Sequence, residues 1–357
     1  MDEPNPTKQA TPAAEKNDRI VAPRVVTRIF RRPEVGAALA AIAIFLIFAL
    51  NPTSSPLWVS QAGFVGWLTQ AWQFGIMAVP VAMLMIGGEF DLSAGVMTGS
   101  CAILIALLAN GFGWNIWLCM AVSLVFAVLV GLFNGILVVR SKLPSFIVTL
   151  ATFFVLRGVS VGLVEALNAN STVVTVLNPP PGTDSARAIF GGTVGSDPAF
   201  PVALFWWLGV TILGTIILSR TTFGNWVFAA GGEPNAARNV GVPVGSTKIL
   251  LFVGTALGAW LVGTIQFTAG LSAVSEQGVG YELYYIVAAV VGGCLLTGGY
   301  GSVIGASIGA AIIGMALQGV IYARWPSQWG FAFLGLLLLF GVIVNAATFR
   351  QAQRARR

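Results

Sequence analysis

TTFGNWVFAAGGEPNAARNVGVPV, Thr221–Val244, is a 24-residue stretch of mixed character set between long apolar runs. It is too long for a simple turn and too apolar for a disordered tail. Its core, Pro-Asn-Ala-Ala-Arg-Asn, predicts a short helix. Pro234 suits the first helical position, where a missing N–H costs nothing, and Gly241 and Pro243 stop the helix from continuing. Gly231-Gly232 before it and Gly241 after it are expected to mark sharp chain reversals, because glycine reaches backbone angles closed to other residues. A short helix carried on a basic loop offers a docking surface to something soluble.

On either side the chain is made for a bilayer. Of its 357 residues 56% are hydrophobic and 9% charged, with a mean hydropathy of +0.85, whereas soluble domains carry roughly 25% charged residues. Apolar runs near 35–50, 64–86, 92–110, 115–139, 146–166, 201–219, 247–269, 283–297, 302–322 and 329–347 predict ten spans in an all-α polytopic membrane protein. The net charge of +6 sits mainly at the two ends: seven Lys/Arg in the first 32 residues and four in the last eight. The positive-inside rule accounts for that distribution without a nucleic-acid partner. With the N-terminus inside, sixteen of the nineteen Lys/Arg become cytoplasmic, so both termini are expected there. Residues 1–32 read as a disordered basic tail, 33–348 as one transmembrane domain and 349–357 as a second basic tail. The first apolar run reads as a retained helix rather than a signal peptide, since some 32 polar residues precede it and no cleavage site follows Leu50. Within the domain, 167–200 is expected outside as a solvated connector or a surface for an external partner, and 220–246 inside.

Glycine patterning predicts how the helices meet. Gly301, Gly305 and Gly309 repeat every four residues, as do Gly95/Gly99 and Gly158/Gly162, and such stripes let helices approach closely. Gly87-Gly88 and Gly292-Gly293 each end an apolar run and predict broken helices, which at membrane depth must be buried in protein or line a cavity. Their separation of 205 residues hints at an internal repeat.

Three segments could carry chemistry. GGEFDLSAG, Gly87–Gly95, puts Glu89, Asp91 and Ser93 at the membrane boundary. Ionisable groups there are candidates for the solute path or its gate, and Asp91 or Ser93 as a cap of the third span is the alternative. KLPSFIVTL, Lys142–Leu150, offers the hydroxyls of Ser145 and Thr149 one turn apart in a helix that Pro144 can start. Arg157 in the same span needs a partner. A carboxylate, backbone carbonyls or water would serve; Glu165 is too distant along the helix, so a partner on another helix is expected. GLSAVSEQGVGYELYY, Gly270–Tyr285, exposes Glu276, Gln277 and Tyr281 on the outer side, a polar and aromatic mixture suited to sugar hydroxyls and faces or simply to the membrane interface.

Absences narrow the mechanism. The chain has no histidine, and Cys101, Cys119 and Cys294 lie apart within apolar spans, so neither a metal site nor a nucleophile–base pair is visible. No catalytic residue and no bound cofactor are expected. The nearest string to a phosphate loop, GVPVGSTK at Gly241–Lys248, lacks the Gly-Lys it would need.

GGEFDLSAG resembles the GG-x-x-DLS-x-G signature of the permease subunits of bacterial ATP-binding-cassette sugar importers, the ribose/xylose group. LPSFIVTL with Arg157-Gly158 is similar to their L-P-x-F-I-x-T-L…R-G stretch. TTFGNWVFAAGGEPNAARNVGV is similar to their T-x-x-G-R-x-x-x-A-x-G-G-N-x-x-A-A-x-x-S-G-I loop, with Asn225, Glu233 and Val240 departing from the usual Arg, Asn and Ser. The resemblance runs in order from about Trp72 to Val344. It implies a permease of ten helices, paired with a second copy or a paralogue in the lipid of the bacterial inner membrane. It also implies a cytoplasmic ATPase carrying ATP and Mg and a periplasmic sugar-binding protein. The cargo would be a monosaccharide, such as a pentose or related polyol, moved by alternating access. Gly232, Glu233, Asn235, Ala236, Arg238 and Asn239 would contact the ATPase. Two rival readings stay open: an importer permease for branched-chain amino acids or another small solute, and a stand-alone secondary carrier.

Overall fold

In a computed structural model that describes residues 33–167 and 171–354, nine of the ten expected runs are helical over nearly their whole length, and the run 283–297 is helical only to Val291. In chain order the helices are α1 (Pro33–Leu50), α2 (Ser55–Trp58), α3 (Gln61–Ile86), α4 (Ala94–Phe112), α5 (Ile116–Ser141), α6 (Ser145–Leu167), α7 (Thr183–Ala186), α8 (Ala203–Arg220), α9 (Thr222–Gly232), α10 (Pro234–Asn239), α11 (Val244–Gly270), α12 (Tyr281–Val291), α13 (Val303–Tyr322) and α14 (Trp329–Arg354). Seven of them, α3, α4, α5, α6, α8, α11 and α13, are long and apolar enough to cross a membrane, and α1, α12 and α14 contribute shorter apolar stretches. The expected tail 1–32 lies outside the described residues. The last helix runs to Arg354, past the boundary expected at 348, because Ala, Gln and Arg are good helix formers.

Two helices organise the bundle. α13 packs along α3 and against α12 and α1, and α11 packs along α5 and against α4 and α3. The stripe on α13 works as its spacing predicts. A methyl at Gly305 would fall on the carbonyl of Gly292, and one at Gly309 on the carbonyl of Ala288. Gly95 and Gly99 on α4 likewise lie under the backbone of Gln277 and Gly278. Gly158 and Gly162 do not follow the rule: a methyl on either would meet no other part of the described chain within 4 Å, because that face of α6 points away from the bundle.

The segment expected as a solvated connector is folded onto the bundle. β1 (Val173–Thr175) pairs antiparallel with β4 (Ser272–Val274), with Val174 opposite Ala273. β2 (Thr193–Val194) pairs with β3 (Phe200–Pro201). Val174, Val176, Ala186 and Phe190 are buried, and Phe190 stacks on Trp206 of α8 at 5.1 Å. Apolar residues at alternate positions thus give the segment a core that its Pro- and Gly-rich composition conceals.

Candidate functional site

The basic residues Arg140, Lys142, Arg220 and Arg238 close or flank helices at one end of the bundle, and both helix breaks lie at that end. Each break is the same motif. After α3 the N–H of Gly88 donates to Met85 O and that of Glu89 to Leu84 O; after α12 the N–H of Gly293 donates to Val290 O and that of Cys294 to Ala289 O. Gly88 and Gly293 hold φ of +83° and +97°, angles that a side chain resists. This double bond pattern is the Schellman ending of a helix. α3 and α12 therefore stop inside the protein by one mechanism, as the paired Gly-Gly motifs predict. α12 ends at Val291 rather than extending to 297.

The five candidates around the first break come together. Ser145 Oγ accepts the N–H of Phe90 at 3.0 Å, and Thr149 Oγ1 accepts that of Leu92 at 3.0 Å. Two amides that no helix satisfies are thereby taken up by the start of α6. Asp91 Oδ1 accepts both the N–H and the hydroxyl of Ser93, at 2.9 and 2.6 Å, and its Oδ2 accepts Thr255 Oγ1–H at 2.9 Å. Ser93 does not cap α4. Its backbone is already helical, φ −80° and ψ −12°, so the hydroxyl cannot reach the first-turn amides and is given to Asp91 instead. The network continues from Asn134 Nδ2 to Ser93 Oγ and from Thr152 Oγ1 to Asn134 Oδ1. Every one of these groups is buried. Glu89, also buried, pairs with Lys248 of α11. Asn134, Thr152, Thr255 and Lys248 escape a motif search. A lone polar residue inside an apolar span, as in LVGLFNGILVV, is the signal that finds Asn134.

The loop that follows the second break meets the first break. The N–H of Gly299 donates to Ile86 O at 2.8 Å, and a methyl on Gly298 would lie 2.8 Å from Gly88 Cα. Between them sits Gly231, the buried last turn of α9. A methyl there would fall on Ile86 O and lie 2.9 Å from Gly299 N. Gly231 and Gly232 are helical, so they serve close approach rather than the chain reversal expected of them. The chain turns at Glu233, with φ −146° and ψ 82°. α9 itself is absent from the sequence reading, because its apolar Trp, Val, Phe and Ala sit in a segment bracketed by glycines.

α10 follows directly, with Pro234 at its first turn as expected, and Gly241 at φ +87° ends it. One face is anchored: Ala237 packs with Ala230 and Val244. The other is bare. Gly232, Glu233, Asn235, Ala236, Arg238 and Asn239 are all exposed. The six residues named from sequence thus form the outward surface of one small element.

At the opposite end Arg157 pairs with Glu276, which lies in the turn before α12 rather than on another helix. Gln277 and Tyr281 are half-buried beside it. Among the described residues no group of three His, Cys, Asp or Glu could hold a metal ion.

The family described as branched-chain amino acid transport system / permease component matches residues 63–342. Among curated proteins, the autoinducer 2 import system permease protein LsrC of Enterobacter sp. (strain 638) is 31% identical over 91% of this chain and 89% of its own. The inner membrane ABC transporter permease protein YjfF of Escherichia coli (strain K12) is 32% identical over 85% of this chain and 89% of its own. The xylose transport system permease protein XylH of the same strain is 29% identical over 88% of this chain and 91% of its own. No solved structure matches the chain. With a family match across most of its length, relatives at 31% and 32% identity and several membrane-crossing helices, the chain belongs to this family of ABC-importer permease subunits.

Proposed function

We propose that the chain is the inner-membrane permease subunit of an ATP-driven importer, that its cargo is a neutral monosaccharide, and that α10 is where a cytoplasmic ATPase drives it. The observation that carries the mechanism is the position of Gly231, lodged between both helix breaks three residues before an exposed helix. A push or pull on α10 cannot move α9 without moving the corners at Gly87-Gly88 and Gly298-Gly299, because no side chain lies between the backbones to absorb it. The rest of the first break is held by hydrogen bonds to α6 and α11, so displacement there passes to two long helices. The positive-inside rule supports a cytoplasmic location for the end that carries α10 and the basic residues. Energy comes from hydrolysis on the partner subunit, since this chain has no phosphate-binding loop.

The xylose cargo of XylH and the scarcity of charge in the membrane support a neutral sugar. A periplasmic binding protein would deliver it to the end that carries the β1–β4 and β2–β3 strand pairs. The test is purification of the tagged chain from its native host with whatever ATPase and binding protein accompany it, followed by uptake in proteoliposomes. ATP-dependent uptake of a monosaccharide that stops when Glu233, Asn235 and Arg238 are changed to alanine is expected. Uptake by the chain alone, or unchanged uptake in the triple variant, would overturn the proposal.

A further inference from the structure

Three glutamine side chains from three separate segments form one chain in the half of the bundle away from α10. Gln277 Nε2 donates to Gln266 Oε1 at 2.8 Å, and Gln266 Nε2 donates to Gln73 Oε1 at 2.8 Å. At the outer end Gln277 Oε1 accepts the N–H of Val274 at 3.3 Å. At the inner end the amide nitrogen of Gln73 has no hydrogen-bond partner among the described residues, and the residue is only half-buried. Gln73 lies twelve residues into α3, or about 18 Å along it at 1.5 Å per residue. A free amide so far along a membrane helix is costly against lipid, and a polar neighbour such as water or a ligand would offset that cost.

Aromatic residues neighbour the glutamines along the same segments. Phe74, next to Gln73, stacks with Tyr284 at 5.3 Å, and Tyr281 meets both rings edge-on, at 5.5 and 6.0 Å. Gln277 enters the group because Gly99 of α4 leaves room for its backbone. The charges close by are already committed: Glu276 to Arg157, and Glu282 to the N–H of Gly280. What remains is neutral, with amide groups that donate and accept and ring faces beside them. Those are the contacts that a hydroxyl-rich, uncharged ring makes, whereas a zwitterion would leave its two charges unpaired there.

We propose that Gln73 and Gln277, with Tyr281 and Tyr284, form a transient subsite for a neutral monosaccharide in the outer half of the path, with the free amide of Gln73 as its inner contact. The proposal rests on the reading of the chain as a sugar importer and adds the place where the sugar touches it. Gln266 is a positioning residue that fixes both neighbours. The test uses the permease reconstituted with its own ATPase and binding protein, with radiolabelled xylose and leucine as probes. Gln73→Glu keeps an oxygen for Gln266 and replaces only the free nitrogen; Gln73→Met keeps the volume and removes both. Each is expected to lower xylose transported per ATP hydrolysed about tenfold, the weight of one or two lost hydrogen bonds, with assembly and ATPase rate unchanged. Gln73→Cys, on a background whose three natural cysteines are buried, is expected to react with an impermeant maleimide added outside, and millimolar xylose should slow that reaction. Wild-type transport in both Gln73 variants together with an unreactive Gln73→Cys would make the amide chain a structural strut and overturn the subsite, leaving the importer reading intact. Wild-type uptake of leucine and not of xylose would overturn both.

Discussion

Gly231 and Gly232 are neighbours in one helix turn, yet a methyl group should separate them sharply. At Gly231 it meets the backbone of both breaks, whereas at Gly232 the nearest atom, Gly299 Cα, is 3.8 Å away, an ordinary contact. Gly231→Ala should therefore cost about 1–3 kcal/mol of overpacking and Gly232→Ala much less, read as thermal shifts in detergent. Asp91 sets a second contrast. Asp91→Ala strands the N–H and hydroxyl of Ser93 in a buried site, at about 1–3 kcal/mol for each unsatisfied group, whereas the Thr255 hydroxyl keeps Phe252 O at 2.8 Å. Asp91→Asn keeps one acceptor and loses the other, so its thermal shift should fall between wild type and Asp91→Ala. At this scale the sequence is an uneven guide. Asp91, Ser93, Ser145 and Thr149 stand out because polar groups at a membrane boundary need a reason, and they do converge. Thr255 and Thr152 look like ordinary hydroxyls in helices, and only the fold brings them to Asp91 and Asn134.

Elements carry the coupling. The short helix α10 is readable from Pro234 and Gly241 because those residues act locally, within one turn. The breaks after α3 and α12 are readable for the same reason: a glycine at positive φ, Gly88 or Gly293, closes the last turn of its own helix. What sits against what is not local, so neither α9 nor its seat on both breaks can be read off, and Gly231-Gly232 looks like a turn. α14 shows a further case. Asn345 Nδ2 donates to Val290 O at 2.7 Å and to Cys294 O at 3.2 Å, spanning the second break from outside. Asn345→Ala should lower stability by about 1 kcal/mol, as loss of a partly exposed amide contact does, and raise proteolytic cutting near Gly292-Gly293. Unchanged melting and cutting would show that α14 merely leans on the break.

For the molecule as a whole, the ends differ in charge and in construction. Arg140, Lys142, Arg220 and Arg238 lie at the end with the breaks and α10; Arg187 and Arg324 lie at the other, where the paired strands pack against α3, α4 and α11. A cysteine placed at Arg238 should react with an impermeant maleimide only in inside-out vesicles, and one at Asp184 only in right-side-out vesicles. The central claim is that α10 and Gly231 link an ATPase to both helix breaks, and reconstituted Gly231→Ala tests it most directly when ATP hydrolysis and uptake are measured in the same vesicles. The account predicts that the variant still binds its ATPase through the untouched face of α10 and still hydrolyses ATP, with uptake per ATP well below wild type. A folded Gly231→Ala protein that transports at the wild-type ratio would contradict it.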